Sequence, residues 1–248
     1  MRYFILSDIH SNIEALEACV QRAKGAGYDA ALCCGDIVGY GPNPVEAIDG
    51  LRRLNAVTIR GNHDRVAAGL DEADQFNPNA RLAVYWTRAI LPDSYRQYLA
   101  NLPLGPLEIN DDAQLVHGAV TDEDDYIFTE ADADENLLLS DKRITFFGHS
   151  HFPVVFSSDR EGNSTLAASD EFDEFIAVKC EAGKKLFVNP GSVGQPRDGD
   201  PRASFAIWDR DHDRVEFYRV EYNIRLTQKK MREAQLPGYL IERLAHGR

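Results

Sequence analysis

The sequence predicts an α/β fold, with 248 residues forming one domain around two sheets. Two features of the sequence point there. The first sixty residues alternate strand, helix, strand, helix, strand across short links, which implies a parallel sheet buried on both faces. Beyond residue 104 strands dominate, with one helix interrupting them and helical sequence closing the chain. No repeat, low-complexity run or linker divides the sequence, so residues 1–248 are read as a single domain.

Residues 3–6 are an apolar strand, and Ser11-Asn12-Ile13-Glu14 then matches a capping box with Ser11 as the cap. Ile13, Leu16, Val20 and Ala23 follow at helical spacing until Gly25 and Gly27 stop the helix. Residues 30–34 form a second strand. Asn43-Pro44 opens the next helix, with Asn as cap and Pro at the first position, and residues 56–59 form a third strand. Asn77-Pro78 begins a helix whose apolar face is Leu82, Tyr85, Trp86, Ala89 and Ile90. Asp93-Ser94 begins another, and Tyr95 joins Tyr85 and Trp86 as a packing aromatic. Strands are expected at 104–109, 113–116, 144–147, 154–156, 186–188, 204–208 and 215–220, with helices at 130–140 and from 225 onward. Residues 160–184 read as a long hairpin.

Composition narrows the partners. Lys and Arg number 27 against 40 Asp and Glu, a net charge of −13. Phosphate polymers and anionic membranes are bound by clustered Lys and Arg, so duplex nucleic acid and membrane are not expected partners. No apolar stretch approaches the roughly 20 residues that span a bilayer. The opening MRYFILSD is too short an apolar run for a signal peptide, so a cytoplasmic location is expected. Cys19, Cys33, Cys34 and Cys180 form no disulfide framework or C-x-x-C pair and read as core thiols. The acidic runs 122–135 and 170–174 lack calcium-loop spacing and read as solvated loops or helix starts. Asn163-Ser164-Thr165 fits a glycosylation acceptor only formally.

The histidines carry more information. Of seven, five stand in Gly- and Asp-rich punctuation directly after apolar strands: His10, His63, His117, His149 and His151. Asp36 is placed the same way, and strand ends of an open α/β sheet are where ligand sites form. Such a His taken singly reads as a satisfied core or loop residue; five at matching positions do not. His212 and His246 lie outside any motif and read as surface residues. Asp, His and Asn without thiolate suit Mn, Fe, Co, Ni or Zn. Asp8-x-His10 and His149-x-His151 would each put two donors on one side of a strand end, because side chains two apart point the same way. Asp36 stands alone, free to bridge two ions. Two ions about 3.5–4 Å apart hold phosphate oxygens and generate a hydroxide nucleophile, so the set reads as a dinuclear phosphoesterase site.

Asp8-x-His10, Gly35-Asp36, Gly61-Asn62-His63-Asp64, His117 and Gly148-His149-x-His151, in that order, resemble the calcineurin-like metallophosphoesterase superfamily. The resemblance runs to about Val193. Residues 35–44 (GDIVGYGPNP) and 189–193 (NPGSV) are similar to its small prokaryotic phosphodiesterase branch. The resemblance implies a four-layer α/β/β/α sandwich of two mixed sheets flanked by helices, with metals at the sheet edges. It implies one ion held by Asp8, His10, Asp36 and His151, and a second held by Asp36, Asn62, His117 and His149. Manganese comes first among the transition metals that fit. It leaves His63 off the metals, as general acid toward the leaving oxygen. His suits that work because its ordinary pKa is near neutrality.

One position departs from the wider superfamily. Its protein phosphatases carry Gly-Asp-x-x-Asp-Arg-Gly, whose second Asp supports the catalytic His, and here Gly39 stands there. This argues against a protein phosphatase. Asp64 either orients His63 or caps the following helix. Arg60, Arg65, Arg197 and Arg202 are candidates to grip phosphate bidentately, although Arg197 and Arg202 also have Asp neighbours for loop ion pairs. Residues 191–194 (GSVG) either aim N–H groups at an anion or turn a strand. The expected function is hydrolysis of small phosphodiester or nucleotide-type substrates. Rival readings are a symmetric diadenosine-polyphosphate hydrolase and a non-catalytic scaffold of the same fold.

Overall fold

The computed structural model describes residues 1–158, 164–168 and 174–248. The first half runs β1 (Arg2–Leu6), α1 (Ile13–Ala26), β2 (Ala30–Cys33), α2 (Pro44–Leu54), β3 (Val57–Thr58), α3 (Asn62–Ala68), α4 (Pro78–Ile90) and α5 (Asp93–Ala100). The second half runs β4 (Leu107–Glu108), β5 (Ala113–Leu115), α6 (Glu130–Leu139), β6 (Ile144–Phe146), β7 (Pro153–Ser158), β8 (Ser164–Ala168), β9 (Phe175–Lys179), β10 (Leu186–Pro190), β11 (Ala203–Asp209), β12 (Arg214–Val220), α7 (Ile224–Glu233) and α8 (Gly238–Arg243).

Two six-stranded mixed sheets result, ordered β3-β2-β1-β11-β12-β9 and β4-β5-β6-β10-β7-β8. In the first, β1 pairs in parallel with β2 (Phe4 opposite Ala31) and antiparallel with β11 (Phe4 opposite Ile207). In the second, β6 lies parallel to both β5 and β10.

The period-2 alternation of side chains explains the layering. On β1, Phe4 and Leu6 face α1 and α2, while Tyr3 and Ile5 face the second sheet. On β11, Phe205 and Ile207 face the helices, and Ala206 and Trp208 face inward. On β10, Leu186 and Val188 point between the sheets, whereas Phe187 packs outward with Ala133 and Leu137 of α6. The order is therefore helices, sheet, sheet, helix, the α/β/β/α sandwich expected.

Local signals met different fates. Asn77 caps α4 by accepting from the N–H groups of Asn79 and Ala80, and Pro44 opens α2. The cap of α1 is Asn12, not Ser11: its Oδ1 accepts from the Ala15 N–H at 3.2 Å, and Ser11 Oγ has no partner. Glu14 does not reach back; Lys230 and Thr227 of α7 engage its carboxylate. The buried stripe of α4 is Ala80, Ala83, Val84 and Thr87, with Leu82 and Ile90 exposed, because small residues let the helix lie close. Among the described residues, β8 and β9 do not pair with each other as the expected 160–184 hairpin would: β8 pairs with β7 in one sheet and β9 with β12 in the other. Residues 170–173 and Asn163 of the second acidic run and the formal acceptor lie outside the described residues. Among the described residues no helix is long and apolar enough to cross a membrane.

The inter-sheet layer depends on Trp208, 1% exposed and stacked on Tyr3 with ring centroids 5.0 Å apart. Trp208→Ala is expected to cost about 3–5 kcal/mol, because that site cannot collapse between two sheets. Urea titration followed by circular dichroism checks it, against an expected change within about 0.5 kcal/mol for exposed Leu138→Ala.

Candidate metal centre

Every predicted ligand lies just beyond the C-terminal end of a strand. Asp8 and His10 follow β1, Asp36 follows β2, Asn62 opens α3 after β3, His117 follows β5, and His149 and His151 follow β6. The backbone there is left-handed, with φ of 52° at Asp8, 47° at His10, 53° at Asp36 and 65° at both His149 and His151. The donors thus converge because the chain turns, not by the pleat that the x-spaced pairs suggested. Non-glycine residues in this region store strain, and a dense loop network holds them. The His10 N–H donates to Asp36 O at 3.0 Å, the Gly194 N–H to Asp8 O at 2.9 Å, and the Gly148 N–H to His117 O at 2.8 Å. The N–H groups of Val193 and Gly194 are engaged by Ser7 O and Asp8 O, so these two are not turned toward an anion. Gly61 is required by contact: a Cβ there would strike Asp36 Oδ1.

Donor atoms from Asp8, His10 and His151 lie within 4.8 Å of one another, as do those from Asp36, His117 and His149, and those from His10, Asp36 and His63. His151 Nε2 is 3.4 Å from Asp8 Oδ1, His10 Nε2 is 3.6 Å from Asp36 Oδ2, and His117 Nε2 is 3.5 Å from the same oxygen. Asp36 therefore stands between the groups. Asn62 Oδ1 and Asp36 Oδ1 accept the same His63 N–H, at 3.0 and 2.9 Å, which puts Asn62 beside the shared carboxylate.

The tautomers test whether these residues suit a cation. His10 Nδ1 faces Val38 O at 3.0 Å and His151 Nδ1 faces Gln195 O at 2.6 Å. Carbonyls only accept, so both Nδ1 atoms carry hydrogen and both Nε2 atoms present lone pairs. Those two Nε2 atoms face each other at 3.1 Å. Protonation does not relieve the conflict, because burial holds both rings well below the usual histidine range. His149 offers Nδ1 by the same logic, since its Nε2 lies 3.1 Å from Asp124 O, and burial pushes it down to about 3. His117 donates Nδ1–H to Cys34 O at 2.8 Å, and its buried Nε2 faces Asp36. Burial opposes charge on His117, but Asp36 outweighs it and pulls the ring up to about 10: this position attracts positive charge. Asp8 is raised by burial and by Asp36, which like-charge crowding explains and a cation would relieve. The donor set fits a divalent transition metal.

His63 is 5% exposed and packed among Tyr40, Phe76 and His10, with ring centroids 4.4, 4.6 and 4.9 Å away. Burial, aided by the charges of Arg197 and His117, pushes it down to about 4. Asp64 turns away from this ring. Its carboxylate accepts from the N–H groups of Ile37 (3.2 Å), Val38 (3.1 Å) and Gly61 (3.1 Å), so it caps α3 and braces the Asp36 turn. Of its two sequence readings the structure displays the cap.

The four arginines separate. Arg202 forks onto Asp200, and Arg60 and Arg65 face Glu123. Arg65 also reaches Asp124 at 2.7 Å. The acidic loop thus has a partner that its composition did not announce, on the helix that carries His63. It holds Tyr126, whose ring stacks on His149 at 3.9 Å. Arg197 is different: its fork is held by Tyr40 Oη at 3.3 Å and Gln195 Oε1 at 3.2 Å rather than by a carboxylate, and its Nε is buried without a partner. Its charge acts on Asp8, His10, His63, His149 and His151. Tyr126 gave no signal beyond being aromatic, and Tyr40 only its place within residues 35–44.

A sandwich with a cage of histidines and carboxylates at the strand ends marks a metal-dependent phosphoesterase. Residues 1–213 match the calcineurin-like phosphoesterase superfamily domain, and the chain belongs to that family. A metallophosphoesterase from Sphaerobacter thermophilus superposes with a TM-score of 0.86 at 40% identity, over 100% of this chain and 99% of that one. The uncharacterized protein MJ0912 of Methanocaldococcus jannaschii is 37% identical over 98% of this chain and 97% of its own. Phosphodiesterase YfcE of Escherichia coli is 22% identical over 85% of this chain and 89% of its own.

The pairing of Arg65 with Glu123 and Asp124 predicts how the loop responds to its loss. Arg65→Ala is expected to speed amide exchange across residues 119–128 about 3–10-fold, as partly exposed pairs worth about 1 kcal/mol would. Exchange mass spectrometry reads this, and unchanged rates would show that other contacts hold the loop.

Proposed function

We propose that residues 1–248, as one domain, hydrolyse small phosphodiesters or nucleotide-type phosphoesters at a dinuclear centre. The observation that carries this reading is the pair of donor groups meeting at Asp36 with His63 beside them. Asp8, His10, Asp36 and His151 would hold one cation, and Asp36, Asn62, His117 and His149 the other. When bound, paired divalent ions, manganese first among Mn, Fe, Zn, Ni and Co, supply Lewis acidity and a water of lowered pKa. Support for a diester comes from the phosphodiesterase named among the relatives.

This chain's residues supply the rest. Arg197, held by Tyr40 and Gln195 beside the His151 turn, grips a phosphoryl oxygen and offsets its charge. His63 delivers a proton to the leaving oxygen; it is neutral in the buried site, and an arriving anion raises its proton affinity. Arg60 and Arg202, tied to carboxylates, act in binding only through the loops they hold. Asp64 positions the Asp36 turn. The helices beyond the family match take part: Met231, Leu240 and Leu244 pack around Tyr40, which carries Arg197. Four buried free thiols suit a reducing compartment such as the cytoplasm.

A second reading is symmetric diadenosine-polyphosphate hydrolysis at the same centre. Release of ADP from diadenosine tetraphosphate faster than nitrophenol from a simple diester would favour it.

His63→Ala is expected to keep its metal content and lose about 10²–10⁴-fold in turnover of bis(p-nitrophenyl) phosphate, the usual share of a general acid. Elemental analysis and steady-state rates measured together decide this, and unchanged turnover removes His63 from the chemistry. Asp36→Ala is expected to lose metal altogether after dialysis against chelator and readdition of Mn²⁺, because both donor groups share that carboxylate.

A further inference from the structure

An aromatic column rises from the cage. Tyr126 lies face to face on His149, with centroids 3.9 Å apart and ring planes 26° apart. Phe128 stacks on Tyr126 at 5.4 Å with its plane only 7° away. Phe152, the residue after His151, meets Phe128 at 5.8 Å in a T-shaped contact. The column is anchored on one cage histidine and flanked by the neighbour of another. Its outer rings are in water: Tyr126 is 47% and Phe128 54% exposed. Core packing does not account for rings left half in solvent. Their loop is held in place by Arg60 and Arg65 on Glu123, and by Asp132, which accepts from the Phe128 N–H at 3.0 Å. The rings are therefore preset, so a partner ring would stack without first ordering the loop.

We infer that Tyr126, Phe128 and Phe152 form a stacking platform that selects phosphoesters carrying an aromatic group, a nucleobase or an aryl ring. This rests on the phosphoesterase reading above and names its substrate class. A phosphoryl group held at the cage has the column at its side, because the Tyr126 ring covers His149. One residue thus ties the cage to the ring platform. Stacking tolerates any flat π-face, so the platform selects for aromaticity and not for one base. The acidic surface does not oppose a small monoanionic ester as it opposes a polymer.

The test uses manganese-loaded whole protein and calorimetric binding of adenosine 5′-monophosphate, phenyl phosphate and methyl phosphate, which share a phosphate and differ in the ring. Wild type is expected to bind the first two about tenfold more tightly than the third, within the range of one stacked ring. Phe128→Ala should bring both down to methyl phosphate, which itself stays unchanged, and Phe128→Trp should restore the preference. Tight adenosine monophosphate with weak phenyl phosphate assigns the platform to nucleobases; equal tightness assigns it to aromatic esters at large. Equal binding of all three by wild type overturns the inference, as does a Phe128→Ala loss common to all three. If the ring preference holds but no diester is turned over, the platform stands and the hydrolase reading above fails instead.

Discussion

Two buried imidazole nitrogens face each other at 3.1 Å with no hydrogen between them. Val38 O and Gln195 O have taken the only ring hydrogens that neutral His10 and His151 possess, and burial denies both rings a second one. Two lone pairs in that position repel unless a cation lies between them, and no rotation cures it while the carbonyls hold the rings. The left-handed turns at Asp8, His10, Asp36, His149 and His151 serve this arrangement. Each such residue costs on the order of 1–3 kcal/mol. Folding alone gains nothing from placing five of them together. The network of loop hydrogen bonds offsets part of that strain, and binding of a cation is what the remainder is for.

The sheets make the convergence possible. Because β1, β2 and β3 run parallel, their outgoing turns emerge on one edge, and β5 and β6 of the second sheet bring His117, His149 and His151 to the same edge. A carboxylate on the central strand of one sheet can then meet imidazoles from the other. Trp208 and its neighbours keep the two sheets at a fixed separation, so the distance across the cage is set by apolar packing rather than by the ligands. Rigid elements beneath strained turns give a preorganised site.

Much of this could be read from the residues. Asp and His after apolar runs named the cage, because strand ends are punctuated by short polar motifs and few other patterns leave five of seven histidines there. What failed was whatever depended on partners distant in sequence. Ser11 and Asn12 both suit a cap, and only the turn into α1 decides that Asn12 accepts the Ala15 N–H. The acidic run at 122–135 looked merely solvated, since nothing in the chain says that Arg60 and Arg65 will lie across from Glu123. The 160–184 segment alternated like a hairpin, but the edge of each sheet needed a strand, and β8 and β9 went to different ones. The spacing x in Asp8-x-His10 pointed to residues that do converge, but by the wrong geometry, a pleat where the chain in fact turns.

Gly39 ties these threads to the chemistry. Where protein phosphatases of the superfamily carry an Asp that supports the catalytic His, this chain has a glycine at φ 96° whose added Cβ would strike His63 Nδ1. Residue 39 therefore faces His63 and carries no carboxylate. Asp64 does not replace it, being committed to three backbone N–H groups. Tyr40, Phe76 and His10 fix the ring by packing instead. A carboxylate partner would raise the proton affinity of His63, whereas aromatic packing orients it and leaves it lowered. Packing thus fixes where the ring points, and burial rather than a dedicated carboxylate partner governs its proton affinity.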